Sequence, residues 1–217
     1  MRFGRWIVAA GMLAVMPAMA QAPPVRTLEC REVRDAWIWS HPRAAAVNFG
    51  VPSEGNGGLH NVIRAEVWKW GRSESDTIRA LLAFDLGELP EGAIVLSARL
   101  KLSFYANDGF TPHLGDNALV ISRVTAPWRE DAVTWSNQPP ATEHNAVRVG
   151  PSSDPRQDYP DIDLRNIVQE WAYFPGSNHG VMLRLERERE FNGVTFASGD
   201  HSSAALRPLL VITYYRP

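Results

Sequence analysis

The chain has 217 residues, of which 22 are Lys or Arg, 24 are Asp or Glu and one is Cys, giving a formal net charge of −2 at pH 7. One cysteine cannot form an internal disulfide, so packing has to hold the fold together. The slight acidic excess argues against nucleic acid as a partner, because phosphate binding needs a concentrated basic surface. The apolar content of 45% is sufficient for a hydrophobic core.

The N-terminus has the pattern of a secretory signal peptide at residues 1–20. Arg2 and Arg5 precede an uncharged apolar run at 6–16, and an Ala-Met-Ala sequence ends at Ala20. The run is too short to span a bilayer, and small residues at this spacing suit signal peptidase. We therefore expect a secreted or periplasmic protein.

The remainder predicts a short flexible leader at 21–26 and one domain at 27–217. Removal of the signal peptide leaves 20 basic against 24 acidic residues, and no later stretch has the length and apolarity of a membrane span. The length of the mature chain is within the usual range for a single domain.

A strand predicted at 62–70 has a candidate binding surface. Ile63, Ala65 and Val67 alternate with polar and aromatic residues, so the small apolar face is expected to point inward. Exposed aromatic rings stack on sugar rings, and nearby basic groups bind carboxylates. The predicted ligand-binding residues are Arg64, Trp68, Lys69, Trp70 and Arg72. The alternative is that the two tryptophans belong to the core, since tryptophan is highly buried on average.

Period-two alternation of apolar residues continues downstream and indicates further strands. It is longest at 94–104, where one face is apolar and the other mostly polar, and it repeats at 78–86. Gly, Pro, Asn and Asp segments separate the strands, which favours an all-β jelly-roll β-sandwich. The other predicted strands are 34–39, 118–125, 147–150, 180–185, 194–197 and 209–215.

One segment has helical spacing instead. Leu164, Ile167, Val168 and Trp171 lie on one face of a helix predicted at 163–173, with Asp163 as its N-cap. We expect this short amphipathic helix to cover one end of the sandwich.

Three oxygen-bearing residues form a candidate calcium site. Asp35 opens a strand, Asn48 lies in an Asn-x-Gly loop, and Asp200 precedes the last strand. Calcium takes six to eight oxygen ligands, and first and last strands are frequent neighbours in such sandwiches. The alternative is that all three are turn or strand-end residues.

The sequence gives no pattern for catalysis. The six histidines lack zinc-ligand spacing, no Gly-x-Ser-x-Gly or phosphate-binding loop occurs, and the aspartates at 154–163 do not match an EF-hand. We therefore expect a protein that is not an enzyme.

The ordered motifs of the chain resemble those of the DNRLRE-domain family. The most specific is Trp-x-Glu-Asp-x-Val-Thr-Trp-Ser-Asn-Gln-Pro at 128–139. The other matching segments are 79–86, 89–94, 97–102, 123–125, 163–171, 178–183, 198–200 and 207–214.

This resemblance implies a secreted jelly-roll module of the kind found on polysaccharide-active enzymes and cell-surface proteins. One branch of the family is classed as a carbohydrate-binding module for acidic polysaccharide such as alginate. We accordingly expect a non-catalytic domain whose partner is a polysaccharide, with an acidic polysaccharide as one candidate. The alternative is a structural or adhesive protein of the cell surface or extracellular matrix, and an enzyme with an unrecognised site ranks last.

Overall fold

The structure, a computed structural model, describes residues 22–40, 61–69, 75–106 and 112–217. The predicted signal peptide lies outside these ranges and stays a prediction. The described strands are β1 (Val25–Cys30), β2 (Val33–Trp39), β3 (Val62–Lys69), β4 (Ser75–Phe84), β5 (Ile94–Leu102), β6 (Leu119–Val124), β7 (Ala141–Val149), β8 (Tyr159–Asp163), β9 (Val181–Leu185), β10 (Asn192–Ala197) and β11 (Leu209–Tyr215). The helices are α1 (Arg165–Tyr173) and a 3-10 turn, Pro175–Ser177.

The strands form two antiparallel sheets. The smaller sheet has the order β1-β11-β5-β8, and the larger has the order β10-β3-β4-β9-β6-β7 with β2 also paired to β4. β4 is the hub of the larger sheet, because β3 pairs with its residues 75–78, β2 with 78–84 and β9 with 80–82. This arrangement confirms the predicted all-β sandwich with one short helix.

The main core lies between the two sheets. Leu100 and Ile212 of the smaller sheet and Leu82 and Ile121 of the larger one are all fully buried there. Their alternation in the sequence places one apolar face of each strand inward, as the period-two pattern predicts.

A second apolar cluster covers the outer face of β2, β4 and β9. Ile38, Leu81 and Met182 point away from the main core, and the connection between β6 and β7 folds over them with Trp128 and Val133. The Trp128 indole N–H donates to the backbone oxygen of His179 at 2.8 Å, so the covering loop is also hydrogen-bonded to the domain.

The helix packs against β5 and begins two residues later than predicted. Its N-cap is Leu164 rather than Asp163, although the Asp163 carboxylate accepts the N–H of Arg165 at 2.9 Å. Ile167, Val168 and Trp171 are buried, as their spacing predicts. The side chain of Gln169 also binds the backbone of β5 through the N–H of Val95 at 2.8 Å.

Cys30 is buried, and burial raises the pKa of its thiol to about 12, with a smaller contribution from the negative charge of Asp85. The thiol is therefore protonated and unreactive at neutral pH.

Among the described residues, no helix has the length and apolarity needed to cross a membrane.

A buried histidine joins the loop at 112–116 to the core. The His113 Nδ1 accepts the N–H of Thr195 at 3.2 Å, and Nε2 lies 2.9 Å from the oxygen of Gln157. Burial lowers the pKa of His113 below its usual 6.5, while the Gln157 carbonyl and the charges of Asp154 and Asp158 oppose the shift.

We predict that Trp128→Ala lowers the free energy of unfolding by about 3–5 kcal/mol, because it uncovers the second apolar cluster. Denaturant titration measures this loss. Trp135→Ala is the matched control, since Trp135 is only partly buried against the same cluster, and its cost should be clearly smaller. Equal costs would mean that Trp128 does not anchor the loop.

We also predict that His113 makes the fold sensitive to mild acid. Its neutral form is favoured in the folded state, so its contribution is complete above pH 6.5, the usual pKa. The contribution falls as the pH drops below that value, by up to about 1.4 kcal/mol per pH unit. The free energy of unfolding of His113→Gln, followed to about pH 5, should fall less than that of the wild type. Exposed His144→Gln is the control; identical pH slopes for wild type and His113→Gln would contradict the prediction.

Candidate functional site

β3 has the two faces that its sequence predicts. Ile63, Ala65 and Val67 are in the main core, whereas Arg64 and Trp68 lie on the other face and are partly exposed. The alternative that the tryptophans belong to the core does not hold for Trp68, which is partly exposed. Trp70 and Arg72, which complete the predicted binding set, lie outside the described residues.

Both described basic residues of this surface are ion-paired. The guanidinium of Arg64 contacts the carboxylate of Glu66, and their side chains are only 11% and 4% exposed. Arg64 also lies 5.7 Å from the ring centroid of Trp37. The ammonium of Lys69 lies 3.2 Å from the Glu190 carboxylate. A carboxylate ligand at this surface would have to compete with these internal pairs.

Trp68 has an aromatic neighbour that the sequence analysis did not single out. The rings of Trp68 and Phe191 meet edge to face, with centroids 5.3 Å apart and planes at 84°. Phe191 is 48% exposed. The available signal was an isolated aromatic residue between the charged run at 186–190 and an Asn-Gly pair.

The structure brings together two of the three predicted metal ligands and adds a third. Ligand oxygens of Asp35, Glu130 and Asp200 all lie within 4.8 Å of one another, while Asn48 lies outside the described residues. Asp35 is in β2, Glu130 is in the loop that covers the second cluster, and Asp200 follows β10. Glu130 comes from a segment far along the chain from both partners, so sequence spacing did not reveal it.

The carboxylate of Asp35 is buried next to two other acidic groups. Burial raises its pKa to about 8, the N–H of Gly199 lowers it, and the charges of Asp200 and Glu130 raise it further. Burial also raises the pKa of Glu130. The backbone of Gly199 lies so close that a Cβ there would come within 2.8 Å of the Asp35 carboxylate. The arrangement concentrates oxygen donors, which are the ligands of hard cations such as Ca²⁺.

A cleft of 660 Å³ lies beside this cluster, between the β1–β2 turn, the end of β4 and the end of α1. Phe84, Leu89 and Trp171 line it with apolar surface, and Gly199 links it to the carboxylate cluster. Its size is typical of ligand sites, which combine apolar walls with a few polar groups.

Three arginines and two carboxylates supply the charge of the cleft: Arg31, Arg34 and Arg207, with Glu32 and Asp85. Arg31 pairs with Glu29 at 2.7 Å. Within the described ranges, neither Arg34 nor Arg207 is in close ionic contact with a carboxylate, although the positive charge of Arg34 partly offsets the raised pKa of Glu130.

Both of these guanidiniums are nevertheless held in place. Arg34 lies 5.5 Å from the ring centroid of Trp128, and Arg207 Nε donates to the oxygen of His201 at 2.7 Å. The cleft therefore combines two positioned cationic groups with an apolar lining. This combination suits a ring that carries a carboxylate.

Comparison with known families identifies the relatives of this domain. The sequence profile of carbohydrate-binding module family 96 matches residues 27–214, which is nearly all of the chain. The chain belongs to carbohydrate-binding module family 96. This match confirms the carbohydrate-binding family that the motifs implied, whereas the DNRLRE name stays a prediction. The comparison with curated proteins found no match.

Proposed function

We propose that this family 96 domain is a non-catalytic, exported protein that binds an acidic polysaccharide. The family match supports a carbohydrate partner. The observation that carries the acidic class is the cleft, whose lining includes Arg34 and Arg207, two guanidiniums held in place by a ring and a backbone carbonyl rather than by a close carboxylate contact in the described part of the chain. The signal-peptide pattern at 1–20 supports export.

The chemistry of the cleft favours a sugar that carries a carboxylate. A guanidinium binds a carboxylate through two parallel hydrogen bonds, and such charge-assisted bonds are about twice as strong as neutral ones. Because Trp128 and the His201 carbonyl already restrict the two side chains, less entropy is lost when they bind.

We predict that Arg34→Gln and Arg207→Gln each weaken binding to mannuronate oligosaccharides roughly 10- to 100-fold, because each removes a charge-assisted hydrogen bond worth about 1.5–3 kcal/mol. Calorimetric titration measures the affinity. Neutral mannose oligosaccharides of the same linkage and length, which lack the carboxylate, should bind the wild type more weakly and respond little to either change.

Arg156→Gln is the matched control, since Arg156 is exposed and lies outside the cleft. Melting curves of all variants exclude unfolding as the cause. Equal wild-type affinity for the acidic and neutral oligosaccharides would contradict acidic recognition, and failure to bind any polysaccharide would favour the structural or adhesive alternative.

The surface around Trp68 is proposed as a second contact region of the same function. Since Arg64 and Lys69 are paired with acidic neighbours, the aromatic ring rather than positive charge is the group offered to a sugar. Lys69, Trp70 and Arg72 stay proposed members of this ligand-binding set, and Trp70 and Arg72 lie outside the described residues.

A structural calcium ion at Asp35, Glu130 and Asp200 is proposed as the element that fixes the loops beside the cleft. Oxygens of three carboxyl groups converge within 4.8 Å, and a divalent cation bound between them would hold their three segments together. The ion would supply loop geometry and no chemistry. Asn48, from the predicted set, stays a proposed fourth ligand.

We predict that Ca²⁺ raises the melting temperature of the purified protein and that excess chelator lowers it. At 100 times its dissociation constant, a ligand of the native state adds about 2.7 kcal/mol, or roughly 5–10 °C for a domain of this size. Glu130→Gln should lose most of this response, whereas Glu91→Gln, an exposed control outside the cluster, should keep it. Identical melting curves with no bound metal in elemental analysis would overturn the proposal.

A further inference from the structure

Phe191 has a backbone conformation that an aromatic residue rarely adopts. Its φ is 62°, in the left-handed region. In the described part of the chain, Asn145 is the other non-glycine residue with a positive φ. Asparagine tolerates this region, but for a bulky residue it is an energetic outlier. Glycine would adopt the same conformation without strain.

The surroundings hold Phe191 in this conformation from two sides. Its N–H donates to the oxygen of Val67 in β3 at 2.8 Å. On the other side, Gly115 lies so close that a Cβ there would be 2.8 Å from the Phe191 oxygen. The next residue, Asn192, accepts the N–H of Asp116 through its side chain at 3.0 Å. The turn is therefore fixed by its neighbours, which is the condition under which strain persists.

Burial does not account for a phenylalanine at this position. The side chain is 48% exposed. It therefore gains only part of the hydrophobic free energy that a fully buried ring would gain. Its contact with Trp68 is edge to face, so the two rings do not cover each other face to face. The fold thus keeps a strained, half-exposed aromatic residue where glycine would suffice.

Polar groups surround this aromatic pair. The Glu190 carboxylate, adjacent to Phe191 in sequence, accepts from the ammonium of Lys69 and from the hydroxyl of Ser75. A sugar presents an apolar ring face and hydroxyl groups. Aromatic ring faces beside hydrogen-bond donors and acceptors complement both of these features.

We infer that Phe191 is a sugar-stacking residue, and that with Trp68 it forms a second saccharide subsite at the end of β4 opposite the arginine cleft. This inference rests on the proposed polysaccharide-binding function. Val67 pairs with Thr77 of β4, and Phe84 of the same strand lines the cleft. Seven residues of strand separate the two places by roughly 23 Å. The subsite recognises the ring and not the carboxylate, so it accepts acidic and neutral pyranoses alike.

Three substitutions at Phe191 separate the ring from the backbone strain. Phe191→Ala removes the ring and keeps the strain, Phe191→Gly removes both, and Phe191→Tyr keeps both. Affinities for mannuronate oligosaccharides and for neutral mannose oligosaccharides are measured by calorimetry, and melting temperatures by circular dichroism. Leu96→Ala, at a residue that is 44% exposed on β5 of the other sheet, is the control.

We expect Phe191→Ala and Phe191→Gly to weaken binding of both oligosaccharides roughly 5- to 150-fold, by analogy with the stacking of bases on aromatic side chains. Phe191→Tyr and Leu96→Ala should bind like the wild type. Phe191→Gly should melt at a higher temperature than Phe191→Ala, because glycine relieves the strain that alanine retains.

The outcomes separate this inference from the proposed function. Unchanged affinities of the glycine and alanine variants, with binding still lost in the cleft variants Arg34→Gln and Arg207→Gln, would overturn the subsite and leave the proposed function standing. A wild-type protein that binds neither these oligosaccharides nor any other polysaccharide would overturn both. A glycine variant that melts no higher than the alanine variant would overturn the strain argument.

Discussion

The second apolar cluster imposes the constraint on which much of this domain depends. β4 and β9 are apolar on both faces, and β2 adds Ala36 and Ile38 to the outer one, so the sandwich interior covers one face and something else has to cover the other. The β6–β7 connection does so by placing Trp128 on the outer face. The same placement brings Glu130 against Asp35, whose N–H it accepts at 3.0 Å, and provides the ring over which Arg34 lies. The carboxylate cluster and one wall of the cleft are thus consequences of covering an apolar sheet face.

This dependence also explains why stability and function are linked at this end of the domain. Trp135 lies on the same loop. Arg79 of β4 lies 4.7 Å from the ring centroid of Trp135 and pairs with Glu188 at 2.7 Å. A loop held by stacked cations and a buried indole positions its polar residues through packing, without a disulfide. Such a site is rigid as long as the cluster beneath it is intact.

Sequence alternation was sufficient for the sandwich wherever one face of a strand is buried. β11 was predicted with its observed bounds, and β2, β3 and β9 were predicted within one residue. β8 was missed because its polar residues, including Asp161, face solvent at a sheet edge, and the acidic run resembled a loop. Val133 to Trp135 has the composition of a strand but lies in the covering loop, since the second cluster and not a neighbouring strand is its partner. Tertiary contacts override strand propensity in this way.

The candidate sites were less accessible to sequence reasoning because they depend on contacts between distant segments. The meeting of Asp35 and Asp200 was expected, but Glu130 required knowledge of where the covering loop folds. Arg34 and Arg207 are unremarkable in the sequence and become a pair only when the cleft forms. Phe191 was missed for another reason, since its interest lies in a backbone angle that no residue pattern encodes.

The pairing of the first and last strands determines how this domain can be presented. Val25 pairs with Tyr215, so the two ends of the described fold leave the smaller sheet side by side. β1 then runs away from that point and reaches the cleft directly after Cys30, at Arg31. A tether joined at either end would hold the domain by the edge remote from the cleft. The opening of the cleft would then lie away from the point of attachment, so a tether would not obstruct it.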